Sequence, residues 1–352
     1  MKRKTILLLI VLSLFPLTLF SSVSFLPEHT FFSSFRSDLL SSSNNLEVFY
    51  EAKSNMEGQF IRFDKKDGVP GEWYLPINDY NKDKDSFFLH LQTGGSVGFL
   101  RLGKESILEM QLVMDAHISS VFYLLRGNDT LGFDGVYFMG GELKALDSIL
   151  LRGGVRHFSG HVGDEAIFNA LGRDPSFVGA EMTEFVEDAY EVALGYDNPK
   201  FPYLKGAFGL IVPKAESYMM PFVHRPDWIT SGGKDNSERD PLSYGVRGDY
   251  GASYNGLTLY SEMDGVLPFS WGSLSASYII TLYESGKTKH TLSPLDDQDV
   301  WEVSHELRLS LALENGKLSL SMDGFVRKGR FPLLSYYWRE STIIGFGFSL
   351  KG

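Results

Sequence analysis

The chain contains no cysteine. That absence excludes a disulfide framework, a cysteine-ligated zinc site, a thiol nucleophile and a lipidated N-terminal cysteine. It also suits a chain that folds in an oxidising compartment. Basic residues are scarce: 33 Lys and Arg stand against 44 Asp and Glu, a net charge of -11. The first 24 residues hold Lys2, Arg3 and Lys4 but no acid, so the remainder carries 30 basic against 44 acidic residues, or -14. A chain this acidic repels phosphate backbones, and nucleic acid is not expected as a partner. Long apolar runs are lacking too. After the N-terminus no window approaches the roughly 18 apolar residues that a helical membrane span needs.

What is present begins with an export signal. Met1-Lys2-Arg3-Lys4 is a positive n-region, Thr5 to Phe20 is almost wholly apolar, and Ser22-Val23-Ser24 supplies small residues for a peptidase. Residues 1–24 are therefore expected to be a cleaved signal peptide. Residues 25–85 are uneven, with polar clusters at Ser41–Asn45 and Asn81–Asp85 and breakers at Pro70, Gly71 and Pro76. They read as an N-terminal arm or a small plug-like element.

From residue 86 to 352 the dominant period is two. Leu108, Met110, Leu112, Met114 and Ile118 alternate with Glu109, Gln111, Asp115 and His117. Tyr190, Val192, Leu194 and Tyr196 alternate with Glu191, Ala193 and Gly195, and Leu307, Leu309, Leu311 and Leu313 with Arg308, Ser310 and Ala312. Such runs are strands with one apolar and one polar or small face. Many exceed the five or six residues usual in globular sheets and reach the 9–11 or so that cross a tilted bilayer. The sequence thus predicts an all-β fold, an antiparallel transmembrane β-barrel of about twelve strands with an N-terminal arm, in the outer membrane. Strands are expected near 87–103, 106–125, 131–147, 149–162, 184–197, 203–213, 243–255, 257–265, 271–283, 301–313, 317–327 and 340–350. This count places connections 284–300 and 328–339 outside but 163–183 and 213–242 on the periplasmic side, against the usual rule for long loops. A secreted β-sandwich is the runner-up fold.

One segment carries chemistry: Arg156-His157-Phe158-Ser159-Gly160-His161-Val162-Gly163-Asp164-Glu165. On a strand, Ile149, Leu151, Val155, His157 and Ser159 share a face and Arg152 and Arg156 the other. The arginines suit the lumen, so His157 and Ser159 should continue the lipid-side face. Residues two apart on a strand are roughly 6.6–6.8 Å apart, close enough for imidazole and hydroxyl to lean together. A serine needs a base, and the base needs an orienting group, for which Asp164, Glu165 and Asn169 are candidates. His157 and His161 would be about 13 Å apart, too far to share a metal ion. No metal or cofactor is expected. The lumenal arginines Arg152, Arg156, Arg247 and Arg308 could favour anions in a pore, or pair with Glu109, Asp115, Glu191 and Asp249 to plug it.

The run His157-Phe158-Ser159-Gly160-His161-Val162-Gly163-Asp164-Glu165 resembles the His-x-Ser-Ser-His-x-Gly-Asp-Glu signature of an uncharacterised exported β-rich bacterial family, domain-of-unknown-function family 1207, with Gly160 in place of a serine. The His-x-Ser pair is also similar to that of outer-membrane phospholipase A and the barrel lipid A deacylases. That resemblance implies His157 as base, Ser159 as nucleophile and membrane phospholipid or lipopolysaccharide as partner. Those enzymes follow the serine with Asn, where this chain has Gly160 and His161. Two readings follow: a lipid ester hydrolase working at the membrane boundary, or a non-enzymatic barrel serving as pore, transporter or structural protein.

The export signal is checked by N-terminal sequencing of the membrane-inserted form, which should begin close to Phe25. Intact Met1 on exported protein would refute cleavage.

Overall fold

In the computed structural model the residues described are 23–27, 30–32, 35, 44–54, 86–103, 107–125, 130–162, 183–214, 222–223, 255–285, 300–315, 318–334 and 340–351. They form β1 (Val23–Phe25), β2 (Asn44–Ser54), β3 (Phe87–Leu102), β4 (Leu108–Tyr123), β5 (Thr130–Ala145), β6 (Ile149–Val162), β7 (Thr183–Asp197), β8 (Leu204–Pro213), β9 (Phe222–Val223), β10 (Asn255–Phe269), β11 (Gly272–Ser285), β12 (Val300–Asn315), β13 (Leu318–Arg330) and β14 (Glu340–Lys351). Each long strand pairs antiparallel with its neighbour, and β14 pairs with β2 while β3 pairs with both β2 and β4. The sheet therefore closes on itself as a barrel of twelve strands. The short β1, whose Val23 and Ser24 belong to the segment expected to be cleaved, adds to β3 at Leu100–Leu102, and β9 adds to β7.

The total of twelve agrees with the sequence reading, but two members differ. Asn44–Ser54, within the segment read as an arm, is the strand that closes the barrel. Its pattern is blurred because Phe49 is inward among Glu47 and Glu51, so both faces look apolar in part. Conversely, β8 pairs directly with β10, from Leu204↔Gly265 to Ile211↔Thr258, leaving no strand between them. Of the strand expected at 243–255, residues 243–254 lie outside the described residues. Removing that strand from the count reverses the two troublesome connections. Residues 163–182 and 214–254 now join strands at the same end as 286–299 and 331–339, while 103–107, 146–148, 198–203, 270–271 and 316–317 make short links at the other. Long loops at one end and short turns at the other are the outer-membrane arrangement, with the short turns periplasmic.

The two faces sort as the alternation requires. Leu307, Leu309, Leu311 and Leu313 point outward, as do Met110, Leu112 and Met114, whereas Arg152, Arg156 and Arg308 are buried in the lumen. Trp271 is exposed beside the short turns and Trp301 beside the long loops, where interfacial aromatics belong. An exterior of leucines is costly in water and favourable in lipid, so the barrel is an outer-membrane protein by its own surface.

Among the described residues, side chains crowd both ends of the lumen. At the periplasmic end Phe32 and Phe35 meet at a tilt, ring centroids 5.5 Å apart, and pack against Leu150, Ala193, Ala207, Ile211 and Tyr260. Gly195 makes this possible, since a Cβ there would stand 2.9 Å from the Phe35 ring. Above them the arginines are paired. Arg152 bonds Asp115, Arg156 lies 3.7 Å from Glu191, and Arg308 reaches Glu306 at 2.7 Å and Glu47 at 2.8 Å. At the extracellular end Phe49, Phe88 and Phe331 cluster, and the Leu334 N–H crosses the lumen to donate to Asp134 on β5. Arg152–Asp115 and Arg156–Glu191 are thus among the arginine–acid pairs that the sequence offered as the alternative to an anion-favouring lining; Arg247 and Asp249 lie outside the described residues.

The outward assignment is checked on β12 and β13. Leu309→Arg, mid-strand, should weaken insertion by about 2–4 kcal/mol, and Leu318→Arg, beside the turn, by about 0–1 kcal/mol. Denaturant titration of bilayer-folded protein reads both, and equal costs would contradict a membrane-spanning wall.

Candidate active site

β6 carries the His-x-Ser pair into the sheet between β5 and β7. Its lower outward positions are Ile149, Leu151 and Val155, and its inward positions are Arg152, Arg156 and Phe158. His157 and Ser159 continue the outward face, each half-buried, at the extracellular end of that apolar stripe. The location predicted from alternation is therefore the one observed.

Register supplies what alternation could not. His157 is directly opposite Tyr137 on β5 and Asp188 on β7, and Ser159 is directly opposite Gly135 on β5. His157 Nδ1 lies 2.8 Å from Asp188 Oδ1. A carboxylate only accepts, so Nδ1–H donates and Nε2 is left with its lone pair available to take a proton. Both side chains keep close to half of their surface exposed, 44 % for His157 and 45 % for Asp188, so substrate can reach the imidazole. The structure joins His157 to Asp188 and not to Ser159, whose hydroxyl shares the face without bonding the ring. Hydrogen bonds of this kind often tighten only when substrate arrives.

The third neighbour is Tyr137. Its ring centroid is 6.2 Å from that of His157, and its hydroxyl stands 3.5 Å from where a Cβ on Gly135 would be. The phenol thus lies over the Gly135 position, and the Ser159 backbone carbonyl is 3.6 Å from the same point.

Of the orienting groups expected from sequence, Asp164, Glu165 and Asn169 lie outside the described residues. Asp188 was missed. It sits 31 positions from His157, and its partnership depends on which residues of β6 and β7 are in register. One signal was available: Asp188 falls on the apolar, outward side of the Tyr190, Val192, Leu194 and Tyr196 alternation, where a charge is costly. Among the described residues no group of three His, Asp or Glu converges on a metal.

A second histidine makes a tighter array. His90 Nδ1 lies 2.9 Å from Glu47 Oε2, and His90 Nε2 lies 2.7 Å from Ser119 Oγ. This serine, histidine and glutamate have the spacing of a hydrolytic triad, but they are enclosed in the lumen. His90 is 1 % exposed and Ser119 5 %, Phe49 is edge-on to the ring, and Glu47 is shared with Arg308. A lipid ester has no approach to that oxygen, and the array is a satisfied polar cluster holding β2, β3 and β4 together.

No family model matches the chain, and no curated protein matches it in sequence. The likeness to domain-of-unknown-function family 1207 expected from the short signature therefore finds no support. Solved structures do resemble the barrel. Outer membrane phospholipase A from Escherichia coli superposes with a TM-score of 0.47 at 13 % identity, covering 91 % of this chain and 98 % of that one. The outer membrane phospholipase dimer of Salmonella typhi gives 0.45 at 13 % over 91 % and 98 %. An outer-membrane channel from Pseudomonas putida gives 0.38 at 9 % over 88 % and 93 %. Enzymes and channels are similar to this chain alike, and the barrel itself stands on the pairing of its own strands.

Ser119→Ala separates the two serine-histidine arrays. It should lower stability by about 1–3 kcal/mol, the cost of leaving a buried partner unsatisfied, and leave any lipid hydrolysis unchanged. Loss of hydrolysis with unchanged stability would move the chemistry into the lumen.

Proposed function

We propose that this protein is an outer-membrane lipid ester hydrolase whose nucleophile is Ser159, whose base is His157 and whose orienting carboxylate is Asp188. The observation that carries this reading is the 2.8 Å His157–Asp188 contact on the lipid-facing wall, with Ser159 on the same face of the same strand. An aspartate bonded to an imidazole on the outward face does nothing for a barrel that only needs to sit in the membrane. It is well placed for a reaction whose substrate is the membrane.

The chemistry follows from the groups present. Ser159 Oγ attacks the ester carbonyl while His157 Nε2 takes the hydroxyl proton, and Asp188 stabilises the imidazolium through Nδ1–H. The tetrahedral intermediate collapses, the C–O bond to the lipid alcohol breaks, and Nε2–H protonates that alcohol as it leaves. Water then attacks the acyl-serine as Nε2 takes its proton, the acyl C–Oγ bond breaks, and Nε2–H returns that proton to Ser159 Oγ as the fatty acid leaves. The developing oxyanion needs donors. The Tyr137 hydroxyl over Gly135 is placed to be one and a strand-end backbone N–H another. The substrate's acyl chains stay in the bilayer, and its ester stands where the apolar stripe of β6 ends. Phospholipid and the acyl esters of lipopolysaccharide both present this chemistry.

A pore reading has no comparable observation behind it: the described lumen holds Phe32, Phe35 and paired arginines and acids.

The test is release of fatty acid from phospholipid or lipid A vesicles. Ser159→Ala and His157→Ala should each reduce the rate by several orders of magnitude, since such groups act as a unit, with Asp188→Ala less severe by roughly a factor of a hundred. Asp164→Ala and Glu165→Ala should keep activity, and heat-modifiable folding should persist throughout. Full activity in Ser159→Ala, or no fatty acid released by wild type, would leave a non-enzymatic barrel.

A further inference from the structure

The outer wall below the site is not smooth. Gly141 on β5 and Gly153 on β6 are directly paired and both face outward. With no side chains between them, they floor a cleft of about 630 Å³ walled by Leu112, Leu143, Leu151 and Val192. Packing does not demand these glycines. A Cβ on Gly141 would meet only the Gln111 carbonyl at 3.8 Å, and one on Gly153 only the Glu191 carbonyl at 4.0 Å, both ordinary contacts. The neighbouring inward pair is different. A Cβ on Gly140 or Gly154 would stand 2.6 Å from Phe138 Cζ, and Phe138 in turn carries the Arg152 guanidinium at 3.8 Å. The inward glycines are structural; the outward ones leave space beside larger outward side chains such as Met139, Leu151, Val155 and Val192.

The cleft is aligned with the reactive side chains. It spans β3 to β7, from Leu100 on β3 and Leu112 on β4 to Gly141, Gly153 and Val192, and so includes the three strands that supply Tyr137, His157 and Asp188; on those three it lies one outward layer below Met139, Val155 and Tyr190. From Ser159 to Gly153 is six residues, about 20 Å along the strand. On a strand tilted by about 35–45° that projects to about 15 Å on the membrane normal, half of a hydrocarbon core of about 30 Å. This is the depth of one leaflet, and hence the reach of one lipid acyl chain whose ester is at the boundary. The cleft walls are aliphatic and open on lipid, so the occupant that fits is a hydrocarbon tail.

We propose that the Gly141–Gly153 cleft seats the distal half of a long acyl chain of the lipid whose ester lies at Ser159, making the protein selective for long-chain acyl lipids. The selectivity rests on the hydrolase reading above; the seat itself does not. A chain too short to reach Gly153 gains nothing from the cleft, so filling it should penalise long chains alone.

The experiment uses the full-length protein in mixed micelles with dipalmitoyl and dihexanoyl glycerophospholipids, and Gly141→Leu and Gly153→Leu as cleft-filling variants. Gly265→Leu is the control, an outward glycine on β10 with nothing within 4 Å of its added Cβ. Each cleft variant should lower kcat/KM for the dipalmitoyl lipid about tenfold or more, the worth of roughly two methylenes displaced from their seat. Each should leave the dihexanoyl lipid unchanged, and Gly265→Leu should change neither. Unchanged rates on both lipids in the cleft variants, or equal losses on both, overturn the proposal. A phospholipid with a diazirine at its acyl terminus provides a readout that needs no turnover. It should label β5 and β6 around Gly141 and Gly153 more than β10, and Gly153→Leu should abolish that preference. If wild type hydrolyses neither lipid but the preference holds, the hydrolase reading falls and the seat stands. No labelling preference in wild type overturns the seat.

Discussion

Closure of the sheet is the constraint on which the rest depends. In hydrocarbon no water is available to satisfy a strand's free edge, so the chain must pair its last strand with its first. The β14–β2 ladder does this over ten residue pairs, from Ser341↔Ser54 to Leu350↔Asn44. Once the ring is closed, every strand has one face on lipid and one in the lumen, and a shift of one residue in any register would exchange them. The leucines of β12 outside and Arg308 inside are two consequences of one ladder. Buried arginines in turn require acids, and the lumen answers with Asp115, Glu191, Glu306 and Glu47 at contact distance. Removing one partner of such a pair costs about 3–5 kcal/mol, so this interior is held in place more by the penalty of breaking it than by the gain of making it.

The same closure decides what the two serine-histidine arrays can do. His90 and His157 each bond a carboxylate through Nδ1, at 2.9 and 2.8 Å. Chemistry at the level of the residues is nearly the same. Their faces differ: His90 points into a packed lumen and His157 onto the bilayer. Access, set by the side of the sheet on which each falls, separates a structural cluster from a candidate active site. Placement on paired strands also gives the outer site its rigidity, because the neighbours of His157 on β5 and β7 are determined by ladders that continue for the full length of β6.

The outer wall around the site also shows that glycine has two uses in one barrel. Gly140 and Gly154 let Phe138 lie flat against the lumenal wall beneath Arg152, whereas Gly141 and Gly153, one position away, open a cleft toward lipid. Between the cleft and His157 the outward side chains change from apolar to polar toward the extracellular end of the wall.

Much of this was legible in the chain itself. The alternation of Leu, Met and Tyr with Glu, Arg and Gly depends on residues two apart on one strand, so it announced the wall, the inward arginines and the outward His157 and Ser159 without knowledge of any partner strand. Where local pattern and burial disagree, it failed. Phe49 faces a lumen of charged groups and hid β2, and one strand too many between β8 and β10 turned two loops to the wrong end. The His157–Asp188 bond, the Ser119–His90–Glu47 cluster and the Gly141–Gly153 cleft were beyond reach. Each joins residues of different strands, brought together by register around a closed ring. Period two tells a side chain which face it takes; only the paired ladders tell it what stands opposite.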